Sequence, residues 1–337
     1  MFKDKIILIS GGSGSWGREL TKQLLLKEPQ QITIFSRGEI SQVDMNRTFN
    51  NPIVEYVIGD IRDKEAVNLV VSQKPDYIFQ LAALKHVPIC ENQPREAIKT
   101  NIIGTENLID AAIRYKVKKF IDISTDKAAD PSNLYGMTKG IGEKLTIQAN
   151  CLTTDTEFIC IRGGNVLGTN GSIVPYVIDQ IKTCNKVRVT DDRMTRFFLT
   201  LPQAVSLIFY AVEKGIGGET YVMNMPSFYI IDLVEILVSF YGNADTEIDI
   251  VGIREGEKLH EVLISEHEVS RTDYVNEDYY VIYPQLKTGR AYYHDWNQDD
   301  KIWDGKGDTR LKHALTSKNN LKDKDYLTKL LRGGGWL

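Results

Sequence analysis

Two short stretches of this 337-residue chain carry side chains whose spacing suits proton transfer. Ser124-Thr125-Asp126-Lys127 closes an apolar run, and Tyr135-Gly136-Met137-Thr138-Lys139 opens a helical pattern with tyrosine and lysine four residues apart. That interval puts both on one helical face. An ammonium beside a phenol lowers the phenol's pKa from about 10. Tyr135, helped by Lys139, is therefore expected to take a hydroxyl proton from a carbon that gives up hydride. Asp126 and Lys127 set a second acid and base side by side. For the lysine to act as a base, desolvation and neighbouring positive charge have to pull it below about 10.4. The other reading of this pair is a strand-end ion pair.

Hydride transfer needs an acceptor, and the amino-terminal end offers a place for one. Lys5 to Ser10 is a compact apolar run, and Gly11-Gly12-Ser13-Gly14-Ser15-Trp16-Gly17 spaces glycines three apart where that strand gives way to a helix carrying Leu20, Leu24 and Leu25 on one face. Such a turn lets backbone approach a pyrophosphate, whose charge is met by amides at the helix start. Gly11, Ser13, Gly14, Ser15, Trp16 and Gly17 are thus read as dinucleotide contacts. After the second strand stands Ser36-Arg37, where an NAD enzyme carries an acidic residue; arginine suits the 2′-phosphate of NADP. Solvation beside Glu39 is the alternative for Arg37. Asp60-Ile61 is placed to bond an adenine amino group and pack its ring, or Asp60 caps a helix. Ala82-Ala83 would admit the cofactor closely, Lys85 faces either a phosphate or sugar or the solvent, and His86 is read as packing.

The elements that must position these groups alternate. Short β-rich runs at Gln31 to Ser36, Val54 to Ile58, Tyr77 to Gln80, Lys119 to Ser124 and Glu157 to Arg162 are separated by helical periodicity. This argues for a doubly wound parallel α/β sheet, the Rossmann arrangement, with a smaller substrate-binding lobe. Residues 1–165 are expected to form the NADP-binding domain. Residues 166–286 are expected to form the second lobe, beginning at the Gly, Asn and Ser-rich loop Gly163 to Ser172 and a helix from Ile173 to Lys182. The stretch 200–241 (helix Leu201 to Lys214, strand Thr220 to Met223, helix Ile231 to Tyr241) partly returns to the first domain. Residues 287–337, with Trp296 and Trp303, read as a surface extension ending in a short helix.

Composition excludes several classes. Hydrophobic content of 42% with 26% charged residues is that of a globular chain, and a net charge of -4 gives no basic face for DNA or RNA. Cys90, Cys151, Cys160 and Cys184 are scattered and read as buried free thiols, and five dispersed histidines give no metal spacing. No run approaches the ~20 apolar residues that cross a bilayer, so a cytoplasmic location is expected, with no membrane partner.

Taken together, these motifs resemble the extended short-chain dehydrogenases, and among them the inverting UDP-N-acetylglucosamine 4,6-dehydratases of pseudaminic-acid and capsule pathways. The similarity spans roughly Lys5 to Gln285. It is carried by Phe35-Ser36-Arg37, Ala82-Ala83-Leu84-Lys85-His86-Val87-Pro88, Ser124-Thr125-Asp126-Lys127-Ala128, Asn165-Val166-Leu167-Gly168, Met194-Thr195-Arg196-Phe197 and Arg254-Glu255-Gly256-Glu257-Lys258-Leu259-His260-Glu261. The resemblance implies that Tyr135 deprotonates the C4 hydroxyl while hydride passes to NADP⁺. Lys127 then removes the C5 proton of the 4-ketone, Asp126 protonates the departing C6 hydroxyl and hydride returns to C6. Thr125 assists at C4. It further implies Arg196 and Arg254 on the diphosphate, Glu257 on the ribose hydroxyls, and Asn165, Ser172 and Ile173 along the sugar-nucleotide path. A homo-oligomer, dimer or higher, is implied through pairing of Glu96 to Tyr115 and Tyr135 to Asn150 across a two-fold axis, although a helix packed on its own sheet has the same stripe.

Two departures stand out. Arg162-Gly163-Gly164-Asn165 replaces the family's Arg-Tyr-Gly-Asn, which opens the pocket and leaves the hexose unsettled, and Arg254-Glu255 replaces Arg-Pro. A 4-epimerase or a C5-retaining dehydratase shares Tyr135 and Lys139. Asp126-Lys127 argues against both, because an epimerase needs no C5 base and the retaining enzymes carry Asp-Glu. A non-catalytic NADP-binding scaffold is the reading from another class, and the presence of both Tyr135 and Lys139 argues against it.

Overall fold

The computed structural model describes residues 1–169, 171–285 and 311–337. Six strands form the heart of the first domain: β1 (Ile6–Ser10), β2 (Gln31–Ser36), β3 (Val54–Ile58), β4 (Tyr77–Gln80), β5 (Lys119–Thr125) and β6 (Glu157–Gly163). They pair in parallel in the order β3-β2-β1-β4-β5-β6. The inner strands are apolar at nearly every position because helices cover both faces. The covering helices are α1 (Ser15–Leu25), α2 (Glu39–Phe49), α3 (Lys64–Val71), α4 (Val87–Asn92), α5 (Pro94–Ile98), α6 (Gly104–Tyr115) and α7 (Leu134–Ala149). The strand order reverses between β1 and β4, which opens a crevice at their carboxyl ends.

The helix expected from Glu96 to Tyr115 is interrupted. Lys99–Ile103 forms a π-helical turn between α5 and α6. Such turns re-aim side chains, and here Asn101 points inward. Its Nδ2 donates to Leu84 O at 2.9 Å and Thr138 Oγ1 at 3.0 Å, and its Oδ1 accepts from Leu84 N at 2.8 Å. The loop after β4 is thereby fixed against α7.

The second lobe contains β7 (Asn165–Val166), α8 (Ile173–Cys184), β8 (Lys186–Val189) and β9 (Thr195–Leu199). Helix α9 (Leu201–Lys214) crosses back to pack on α1, and β10 (Thr220–Met223) joins the main sheet parallel to β6. The chain then adds β11 (Ser227–Tyr229), α10 (Ile230–Tyr241), β12 (Glu247–Ile250), β13 (Val262–Ile264), α11 (Glu266–Val269), β14 (Thr272–Asn276), β15 (Tyr279–Ile282), β16 (Leu315–Thr316) and α12 (Lys324–Gly333).

Three boundaries differ from expectation. Helix α10 stays in the second lobe, where Leu233, Val234 and Leu237 share a core with Val174, Val177 and Ile181 of α8. Helix α9 and β10 do return as expected, and a further stretch joins them: β14-β15, an antiparallel pair laid on β10, covers an otherwise open parallel edge. The carboxyl-terminal segment is no surface extension over its described part. Leu327 and Leu331, one helical turn apart, are fully buried in the second-lobe core, and β16 pairs with β13. Trp296 and Trp303 lie outside the described residues. Of the cysteines, Cys90 and Cys160 are buried, Cys151 is half-buried and Cys184, at the end of α8, is exposed. No described helix is long and apolar enough to cross a membrane.

Candidate active site

The crevice between β1 and β4 continues into a groove toward the second lobe. One section, of about 470 Å³, runs over Ser13, Ser36, Arg37, Asp60, Ile61 and Ala82. The other, of about 610 Å³, is walled by Ser15, Trp16, Thr125, Lys127, Tyr135 and Lys139 on one side and by Asn165, Ser172 and Ile173 on the other. Gly11, Gly14 and Ala83 line both.

At the first section the glycines act as the spacing requires. Gly11 has φ +67°, and a Cβ there would lie 2.7 Å from Ala82 N. A Cβ on Gly17 would lie 2.1 Å from Gly12 O, so Gly17 serves the packing of α1 on the turn and does not line the groove. Ser13 and Ser36 join through their hydroxyls at 2.9 Å, and Gln42 Nε2 donates to Ser36 O and Oγ. Asp60 is gripped by Arg62, whose N and Nε donate to its carboxylate at 3.0 and 2.8 Å. Arg37 lies 3.8 Å from the same carboxylate, largely exposed at the groove mouth. This cradle fits a dinucleotide: a tight turn, a helix amino terminus and an outlying guanidinium.

At the second section, β5 ends in Thr125, whose hydroxyl donates to Asp126 Oδ1 at 2.9 Å. Asn133 caps α7 by accepting from Gly136 N at 2.9 Å, while its Nδ2 donates to Gly256 O at 2.9 Å. The cap that orients the Tyr135 helix is thus held by a second-lobe loop. Burial pushes the Tyr135 phenol above its ordinary value; Lys139, Lys127 and a hydrogen bond with Thr125 pull it down without overcoming burial. The lowering expected from Lys139 is present but is outweighed in this state.

Lys127 corrects a second expectation. Burial works to neutralise it, yet its ammonium is held above the ordinary lysine range by Asp126, at 3.0 Å, and Glu261, at 3.6 Å. Arg196 opposes this, more weakly. The Lys127 ammonium also donates to Asn165 Oδ1 at 3.4 Å. Asp126 stands behind the groove wall with Oδ2 buried and, among the described residues, without a hydrogen-bond partner.

The other expected contacts divide. Lys85 is on the wall, its ammonium pushed below the ordinary value by burial. Arg196, Arg254 and Glu257 do not line the groove. Arg196 is buried, donates to Thr195 O at 2.7 Å and lies 3.5 Å from Glu261, while Arg254 points outward 4.0 Å from Glu257. His86 lies against Gly171 and also lines the groove, so it is more than packing. At Gly163, the nearest atom a Cβ would meet is the Trp16 ring at 3.9 Å, so the missing aromatic side chain does leave room.

A sequence profile described as polysaccharide biosynthesis protein matches residues 7–284. The chain belongs to this family. Within it, the chain is 43% identical over 291 residues to the inverting UDP-N-acetylglucosamine 4,6-dehydratase of Campylobacter jejuni, covering 85% of each. It is 40% identical to the UDP-glucose 4-epimerase of Rickettsia rickettsii, covering 84% of each. The crystal structure of Pen from Bacillus thuringiensis superposes with TM-score 0.91 at 34% identity over the whole of both chains.

The family motifs mark the groove wall and not the residues behind it. Asp122 and Glu261 contact Lys139 and Lys127, and sequence reasoning assigns neither a role. The signal for Asp122 was available: a lone carboxylate in the middle of an apolar central strand.

Proposed function

We propose that this protein is an NADP-dependent, C5-inverting UDP-N-acetylglucosamine 4,6-dehydratase acting in the cytoplasm in surface-glycan biosynthesis. The observation that carries the reading is the convergence of Thr125, Lys127, Tyr135 and Lys139 on one wall of a groove whose other end is a dinucleotide cradle. The name of the Campylobacter relative supports the substrate.

Gly11, Gly14, Ser13, Ser36 and Arg37 would hold the dinucleotide, and the chemistry it supplies when bound is acceptance of a hydride from C4 and its return to C6. Tyr135 accepts the C4 hydroxyl proton, assisted by Thr125 and by the charge of Lys139. The 4-ketone acidifies C5. Lys127 passes its proton to Asp126 across their 3.0 Å hydrogen bond, which creates an amine base and a carboxylic acid together. The amine takes the C5 proton, and the proton stored on the pair leaves with the C6 hydroxyl as water. Lys85, Asn165, Ser172 and Ile173 line the sugar end. Arg196 acts on the site from behind, through Glu261, while Arg254 and Glu257 meet the nucleotide only if their loop moves inward.

Incubation with UDP-N-acetylglucosamine and NADP⁺ should yield a 4-keto product that absorbs after alkali treatment. In deuterated water that product should carry deuterium at C5, with coupling constants of the L-arabino ring. A D-xylo product would refute inversion, and a 4-epimer without deuterium at C5 would establish the epimerase reading that the Rickettsia relative favours.

Arg37 should select the cofactor. A charge-assisted pair of about 1.5–3 kcal/mol is roughly a ten- to hundredfold preference, so Arg37→Ala should shift the NADP-to-NAD affinity ratio by that factor in a binding titration. Equal affinity of the unsubstituted protein for both would remove the assignment.

We also propose a homo-oligomer formed through α5, the π turn and α7, where Ile98, Ile103, Met137 and Ile141 are each more than two-fifths exposed. Glutamate at both Met137 and Ile141 should yield monomers by light scattering. An unsubstituted protein that is already monomeric overturns this.

A further inference from the structure

Behind the groove wall, Lys139 makes a contact that the reaction scheme above does not use. Asp122, fully buried on β5, holds the Lys139 ammonium between its two oxygens at 3.1 and 3.4 Å, and Lys139 itself is 3% exposed. The helix runs close to the strand at this level. A Cβ on Gly142 would meet Asp122 Oδ2 at 3.8 Å. We propose that Asp122 is a positioning residue that fixes Lys139, as a charged ammonium, beside Tyr135. The proposal rests on the hydride step assigned to Tyr135 and Lys139 above.

Asp122 is, among the described residues, the carboxylate placed to do this. Among the described residues, the titratable groups that act on Lys139 are Asp122 from β5, Tyr135 from its own helix and Cys160 from β6. The last two are neutral when protonated, and burial keeps the Cys160 thiol protonated. Glu143, one turn further along α7, faces Asp122, and is itself paired with Arg162 from β6 at 2.6 Å. Burial alone would drive Lys139 toward the neutral amine. Asp122 reverses that direction, and the ammonium stays above its ordinary range. A neutral Lys139 would leave Tyr135 with burial unopposed on that side. The phenol and lysine form a coupled pair, and Asp122 decides that the first proton lost comes from the tyrosine.

The test uses the full chain with lysine labelled at the ε-carbon, the Lys139 resonance being assigned by its absence in Lys139→Met. In the unsubstituted protein this resonance should remain that of an ammonium past pH 10. In Asp122→Asn, which keeps the side-chain shape, it should titrate below the ordinary lysine value of about 10.4. With UDP-N-acetylglucosamine and NADP⁺, the pH limb of cofactor reduction in Asp122→Asn should move to lower pH and its plateau should fall by about one to two orders of magnitude, within the range for a misplaced general base. Asp122→Glu should restore both. The double variant Asp122→Asn, Lys139→Met, which removes both members of the buried pair and so avoids a stranded charge, should be no slower than Lys139→Met alone. An unmoved Lys139 titration, or additive losses in the double variant, would overturn the proposal. If the unsubstituted protein reduces no cofactor with this sugar nucleotide, the substrate reading fails, and the resonance alone decides the role of Asp122.

Discussion

Lys127→Ala is expected to leave reduction of the cofactor by UDP-N-acetylglucosamine intact while the 6-deoxy product disappears. The lysine touches Asp126, Glu261 and Asn165 and serves the elimination, whereas C4 oxidation draws on Tyr135 and Lys139. Loss of a general base costs roughly 10²–10⁴ in rate. Tyr135→Phe should show the reverse pattern, with no reduction at all and the fold unchanged. Nicotinamide absorbance after mixing reports the first step, and product chromatography the second. Loss of reduction in a folded, cofactor-bound Lys127 variant would merge the two steps and end this division of labour.

Arg162→Met is expected to be the most destabilising single change in the first domain. Arg162 is buried between two carboxylates, donating to Glu143 at 3.0 and 2.6 Å and to Glu268 at 2.9 and 3.0 Å, with a further bond to Leu263 O at 2.8 Å. Methionine fills much of the volume, strips Glu143 of its guanidinium and leaves Glu268 with only the longer contact to Arg271, at 3.4 Å. Breaking such a pair costs about 3–5 kcal/mol, which corresponds to a fall in Tm on the order of 10 °C. The loss should depend on pH. Burial pushes Glu268 up, but Arg162 holds it below the ordinary glutamate value, so its contribution is present above the unfolded pKa of about 4.3 and fades as pH falls through the folded value. Without the arginine, burial acts on Glu268 against only Arg271, at 3.4 Å, and the Ser265 hydrogen bonds. The gap between the two proteins should therefore narrow in acid, as thermal melts across pH 3 to 7 would reveal. A gap that is constant across that range would mean the cost is packing alone.

Local patterns were legible wherever one element decides its own structure. The strand bounds Gln31–Ser36, Val54–Ile58, Tyr77–Gln80 and Thr220–Met223 match the apolar runs read from sequence, as does helix Leu201–Lys214, because burial on both faces or along one stripe is written in consecutive residues. The groove wall was legible for a related reason: Tyr135 and Lys139 sit on one turn, and Thr125 and Lys127 follow one strand end. What sequence could not convey was pairing across distance. Tyr274 and Tyr280 belong to the main sheet only because β14-β15 folds back onto β10, and the stretch carries no mark of that destination. Glu261 reaches Lys127 across 134 positions, and this second carboxylate, which favours the ion-pair reading of Asp126-Lys127, has no local signal. The family resemblance implies Arg196 on the diphosphate; its partners among the described residues are backbone carbonyls and Glu261.

The stretch from Ser317 to Trp336 sets an order of events during synthesis. Ser317 donates its backbone amide to Glu261 O, and its hydroxyl accepts from Glu261 N at 2.9 Å and meets Thr195 Oγ1 at 2.6 Å. Leu327 and Leu331 complete the second-lobe core, and the Trp336 ring lies against Gly168 at the foot of the loop that borders the groove. A nascent chain can pair β1 through β6 well before Ser317 is made, as domains nearest the amino terminus do. The second lobe has to wait. Its core lacks two leucines until Leu331 has been made, and Glu261 lacks its backbone partner until Ser317 has, so the carboxylate facing Lys127 is secured later than the side chains of β5 and α7 that share the wall.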